Sequence, residues 1–98
     1  MKKILIIDDD PNMNQMIKRL LEENGYEARS EFNGDDGWNR FLDEAFDLII
    51  TDIIMPRKEG IELIRAIREK SQTLPIIAIS GGGRLIPDTY LSMAQNMG

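Results

Sequence analysis

Four short apolar runs, Ile4–Ile7, Tyr26–Phe32, Leu48–Ile50 and Ile76–Ile79, alternate with stretches patterned for helices. That alternation constrains the fold more than any other feature of the chain. Three of the runs are continuous and rich in Ile, as expected of strands buried on both faces, and Tyr26–Phe32 is the weaker one. Asp10-Pro11 supplies a capping residue followed by a proline suited to a first helical position, and Asn24-Gly25 supplies a stop. Between them Met13, Met16, Ile17, Leu20 and Leu21 form one apolar stripe, with the two methionines read as core filler. Trp38, Phe41, Leu42 and Ala45 predict a second helix after the turn at Asn33-Gly34, with Trp38 as its anchor to the core. Ile61, Ile64 and Ile67 predict a third, ending before Pro75, and Tyr90, Leu91, Ala94 and Met97 a fourth. Strand and helix alternate throughout. The fold expected is therefore α/β, a parallel sheet with right-handed crossovers, in one domain over residues 1–98.

Composition narrows the chemistry. The 98 residues contain no His and no Cys, which excludes disulfides, cysteine nucleophiles and zinc or copper sites built from thiolate or imidazole. A metal here must be a hard cation held by oxygen. The 17 acidic residues outnumber 12 basic ones, a net charge of -5, which argues against direct nucleic-acid binding. No apolar run approaches the roughly 20 residues of a membrane span. The start, Met1-Lys2-Lys3 and four apolar residues, is too short for a signal peptide, so a cytoplasmic location is expected.

In open α/β sheets the functional crevice lies beyond the carboxyl ends of the strands. Three runs end in polar residues: Asp8-Asp9-Asp10, Thr51-Asp52 and Ser80-Gly81-Gly82-Gly83. A parallel sheet brings these ends together. Like charges 4 Å apart cost about 4 kcal/mol per pair at an effective dielectric near 20. Three carboxylates in one place therefore call for a cation, and an all-oxygen site with few protein ligands suits Mg²⁺. Asp8, Asp9 and Asp52 are its expected ligands, whereas Asp10 fits a helix cap. On its own Ser80 reads as a strand-end hydroxyl satisfying nearby backbone. The glycines at 81–83 read as a loop between strand and helix. No G-x-x-x-x-G-K-[ST] pattern surrounds them, which argues against a nucleotide loop.

Ile4–Pro11, with its Asp8-Asp9-Asp10, resembles the start of a response regulator receiver domain. Asp47–Pro56, with Gly60 eight residues after Asp52, is similar to that family's phosphoacceptor motif, and Leu74–Ser80 to its fourth strand. The resemblance runs from Lys3 to Gly98. It implies a doubly wound, flavodoxin-like sheet of strand order 2-1-3-4-5. It also implies that Asp52 takes a phosphoryl group from a phosphohistidine on a sensor histidine kinase. Asp9 and Asp52 would hold Mg²⁺ directly with the backbone carbonyl of Ile54, and Asp8 would act through a metal-bound water. Ser80 would hydrogen-bond a phosphoryl oxygen and report its arrival. Output would pass to a downstream effector protein.

The family continues into a fifth strand, bearing a lysine and an aromatic switch residue, and a fifth helix. Both fall beyond Gly98, and the lysines present, at positions 2, 3, 18, 58 and 70, are not at a suitable strand end. The expectation is a sheet lacking the fifth strand and helix, slow or uncoupled phosphorylation, and self-association through the sheet edge at Ile76–Ile79. Ile54 and Gly82 stand two residues after Asp52 and Ser80, where the family tunes hydrolysis. Neither can orient a water, so a long-lived phosphoryl group is expected. Two rival readings stay open. One is a receiver-like interaction module that never labels. The other is an aspartate-nucleophile phosphatase of the haloacid dehalogenase type using Asp8, although that class needs a downstream lysine and further acids.

Overall fold

The computed structural model describes residues 1–53 and 60–79. Over them run β1 (Lys3–Ile7), α1 (Pro11–Glu23), β2 (Glu27–Glu31), α2 (Gly34–Asp43), β3 (Leu48–Asp52), α3 (Gly60–Lys70) and β4 (Ile76–Ile79). The four strands form one parallel sheet of order β2-β1-β3-β4. Leu5 of β1 stands between Arg29 of β2 and Ile49 of β3, and Asp52 ends β3 beside Ile79 of β4. This is the expected doubly wound arrangement. The fourth helical pattern, with Tyr90, Leu91, Ala94 and Met97, lies outside the described residues.

Helix boundaries follow local chemistry. The Asp10 carboxylate accepts from the backbone N–H groups of Asn12 and Met13 at 2.9 and 3.3 Å, with Pro11 at the first helical position. α1 stops at Asn24, and Gly25 then adopts φ 88°, the left-handed conformation that costs glycine least. Asn33 does more than make a turn: its side chain accepts from the Asp36 backbone N–H at 2.8 Å and caps α2.

The main core lies on one face of the sheet, where Leu5, Ile7 and Ile49 meet Leu63 and Ile67 of α3, with Trp38 and Phe41 of α2 packed against them. Trp38, packed against that core, is the expected anchor, and its ring lies 5.6 Å from that of Phe41. Strand side chains alternate, so Ile4, Ile6 and Ile50 face the other side, which right-handed crossover assigns to α1.

The α1 stripe departs from expectation. Met16 and Leu20 are 51% and 52% exposed, Met13 is half-buried, and the residue α1 buries fully is Asn14. Met16 is therefore not core filler. On α2, Leu42 is exposed, and Ala45 lies past the helix end and is exposed. β4 is also not buried on both faces. Among the described residues it pairs with β3, and Ile77, pointing away from α3, is 48% exposed.

One ionic cluster ties the start of β1 to β2 and to the end of α2. Glu44 lies 2.5 Å from Lys3 Nζ, 2.7 Å from Arg40 and 3.4 Å from Arg29, while Arg40 also reaches Glu31 at 2.7 Å. The hydrogen bond from Lys3, then that from Arg40, lowers the Glu44 carboxyl from 4.5 to about 2. Its folded pKa lies below its unfolded one. The contribution to stability is therefore present above pH 4.5 and is lost as pH falls toward about 2. Acid titration of Glu44→Gln, followed by circular dichroism, should show a shallower loss of stability across that window. An unchanged acid limb would contradict the assignment.

Candidate functional site

Strand order reverses between β1 and β3, because the chain leaves β1 toward β2 and then crosses back to β3. Elements leading away in opposite directions leave a crevice beyond the strand ends at that point. Asp8 follows the last residue of β1, and Asp52 is the last residue of β3. Each is completely buried, and Asp9 is partly exposed. One carboxylate oxygen from each of Asp8, Asp9 and Asp52 lies within 4.8 Å of the other two. The three acids expected to share a cation are brought together.

The backbone around them is tightly held. Asp8 donates its N–H to the Glu31 carbonyl at 3.1 Å, continuing the β1–β2 pairing past the strand end. Its Oδ1 accepts from the Asp10 N–H at 2.9 Å, closing the turn that leads into α1. Thr51, also fully buried, donates its hydroxyl to the Asp52 carbonyl at 3.0 Å. Beyond Asp52, Gly60 donates its N–H to the Ile53 carbonyl at 3.0 Å, so α3 begins directly against the end of β3. A Cβ at Gly60 would sit 2.2 Å from the Asp52 carbonyl oxygen and 2.3 Å from Ile53 Cα. Only glycine permits that approach.

Asp10 caps α1 and is not in the acid cluster, as its position before Pro11 implies. Ile54 and Ser80 lie outside the described residues, as do Gly81–Gly83. Ser80 follows Ile79, which is in register with Asp52. Asn14 is the buried polar neighbour that pattern reading missed. It stands three residues before Ile17 and seven before Leu21, on the face that helical spacing turns toward the sheet. A polar residue in that row was the available signal.

Three carboxylates form an all-oxygen donor set, which suits a hard divalent cation such as Mg²⁺ and suits zinc poorly. Among the described residues no helix is long and apolar enough to cross a membrane.

Residues 4–93 match the family described as the response regulator receiver domain. The chain is 36% identical over 83 residues to the transcriptional regulatory protein CpxR of Escherichia coli, covering 85% of this chain and 35% of CpxR. It thus spans about a third of that relative's length. Chemotaxis protein CheY4 of Vibrio cholerae superposes with a TM-score of 0.88 at 28% identity, over 100% of this chain and 81% of that one. The solved complex of histidine kinase ThkA with response regulator protein TrrA matches with a TM-score of 0.81 at 34% identity, over 95% of this chain and 80% of the matched one. With the parallel sheet, the acid cluster at its switch point and this match over nearly its whole length, the chain belongs to the response regulator receiver domain family, the phosphoacceptor domains of two-component signalling.

Proposed function

We propose that Asp52 is the phosphoacceptor of this receiver domain and that a phosphohistidine on a sensor histidine kinase is its donor. The observation that carries this reading is the convergence of Asp8, Asp9 and Asp52 within 4.8 Å, with Asp52 at the end of β3. A carboxylate oxygen of Asp52 attacks phosphorus as the bond to the donor imidazole breaks. The products are an acyl phosphate on Asp52 and a neutral imidazole, which takes up a proton as it leaves. A carboxylate suffices as nucleophile because the phosphohistidine is already activated.

Asp8, Asp9, Asp52 and the backbone carbonyl of Ile54 would hold Mg²⁺. When bound, the ion neutralises charge on the phosphoryl oxygens. Asp52 is fixed by strand pairing on one side and by the close approach of Gly60 on the other. Asp8 and Asp9 are fixed by the turn bonded to Glu31 and Asp10. That fixing supports in-line attack, since phosphoryl transfer depends mostly on position and charge. Ser80 would donate its hydroxyl to a phosphoryl oxygen.

The partners proposed are a sensor histidine kinase and a downstream effector protein, acting in the cytoplasm. The ThkA–TrrA complex supports the first by analogy, since that response regulator is held by a histidine kinase. The domain itself extends over residues 1–98 in this reading, and its own catalysis is limited to phosphotransfer and slow self-dephosphorylation.

Incubation with a radiolabelled phosphodonor tests the assignment. Mg²⁺-dependent, alkali-labile labelling is expected in the wild-type chain and absent from Asp52→Asn. Labelling that survives Asp52→Asn but is lost in Asp8→Asn would favour the phosphatase chemistry. A chain that never labels would favour an interaction module.

A further inference from the structure

Asn14 is completely buried on α1, a helix otherwise lying half-exposed on the sheet. Its side-chain amide nitrogen donates both hydrogens to backbone, one to the Asp8 carbonyl at 3.0 Å and one to the Glu31 carbonyl at 2.8 Å. The first lies one residue past the end of β1 and the second at the end of the neighbouring β2. The Glu31 carbonyl also accepts the Asp8 N–H, so Asn14 closes a ring of hydrogen bonds around the Asp8 backbone.

The Asp8 carbonyl belongs to the peptide that joins Asp8 to Asp9. Holding its oxygen fixes that peptide plane, and with it the placement of the Asp9 N and Cα from which its side chain leaves the backbone. Asp9 is the partly exposed member of the acid cluster and has the least packing to hold it. An amide is the one short side chain able to offer two hydrogens from a single atom to two adjacent carbonyls. Without Asn14 the Glu31 carbonyl keeps the Asp8 N–H, but the buried Asp8 carbonyl loses this donor, so the turn must shift to reach water or another one.

We infer that Asn14 is a positioning residue for the cation site, setting Asp8 and Asp9 for metal through the Asp8–Asp9 peptide. The inference rests on the cation-site reading of Asp8, Asp9 and Asp52. Residues that orient metal ligands through hydrogen bonds typically change affinity about ten- to a hundredfold when removed. Asn14→Ala should therefore bind metal ten- to a hundredfold more weakly, and Asn14→Gln, which keeps the amide one methylene away, less severely.

Mn²⁺ serves as the probe because it takes the same hard oxygen ligands and its free form is read directly by electron paramagnetic resonance. Titrations would use wild type, Asn14→Ala, Asn14→Gln and Asp52→Asn, each checked for folding by circular dichroism and urea unfolding in EDTA. The expected order of affinity is wild type, Asn14→Gln, then Asn14→Ala, with Asp52→Asn the weakest. A purely structural Asn14 would lower the urea midpoint yet leave the affinity of the folded protein unchanged. Affinity of Asn14→Ala within twofold of wild type, while Asp52→Asn loses binding, overturns the inference and leaves the cation-site reading intact. If Asn14→Ala does not fold, Asn14→Gln decides by the same twofold criterion. A wild-type chain that binds no Mn²⁺ overturns both.

Discussion

Replacing Asp52 by asparagine is expected to stabilise the metal-free chain at neutral pH by on the order of 2 kcal/mol, while it removes the proposed phosphoacceptor. As anions, the three carboxylates held within 4.8 Å repel one another. At an effective dielectric near 20 each such pair costs about 3 kcal/mol at that spacing. Asp52→Asn removes two of the three pairs. The gain is smaller than the full Coulomb sum because Asp9 is partly exposed and its charge is screened. Mg²⁺ should reverse the order, since binding stabilises the wild type by an amount that grows with metal concentration and leaves the variant nearly untouched. Urea unfolding in EDTA and then across a Mg²⁺ series would show the two curves crossing. An Asp52→Asn protein less stable than wild type in EDTA would mean that the acids are not crowded as charges.

Gly60→Ala should produce the largest loss of stability of any single methyl added to the described residues. The new Cβ would lie 2.2 Å from the Asp52 carbonyl oxygen and 2.3 Å from Ile53 Cα. Both obstacles are backbone, so no side-chain rotation relieves them and α3 must move off the end of β3. Overpacking usually costs about 1–3 kcal/mol, and a backbone clash belongs at or above the top of that range. For a domain of this size each kcal/mol lowers the Tm by roughly 4–8 °C. The informative control is Gly25→Ala. Gly25 has φ 88° but a methyl added there would meet nothing within 4 Å, so its cost is conformational, on the order of 1 kcal/mol. Gly60→Ala should also weaken labelling, because the end of β3 carries Asp52. A Gly60→Ala chain as stable as Gly25→Ala would contradict the close approach.

Much of this was legible in the sequence because it rests on local pattern. Ile-rich runs gave three of the four strands, Asp10-Pro11 gave the start of α1, and acids at the ends of β1 and β3 gave the cluster that forms the candidate site. Gly60 was noticed only through its place in the family motif, and its reason is a backbone contact that no pattern displays. Asn14 escaped for a related cause. Helical spacing placed it in the row with Ile17 and Leu21, but its burial depends on two strand-end carbonyls, one of them 17 residues away in β2. The opposite error occurred at Met16 and Leu20, whose apolar character implied burial that the sheet does not provide. An apolar residue is cheap to leave exposed, whereas a buried amide must find partners, so only the second implies a tertiary arrangement.

The position of β1 in the middle of the sheet has a consequence for how the chain assembles. Ile4 pairs with Ala28 of β2 on one side and with Leu48 of β3 on the other, so the second partner lies much further along the chain. The segment formed by β1, α1 and β2 contains every group of the Asp8 turn, with Asn14 and Glu31 around it. It has no third carboxylate. Of the three repulsive pairs, the two that involve Asp52 arise only when the long crossover to β3 closes, so this first part of the molecule carries the Asp8–Asp9 pair alone.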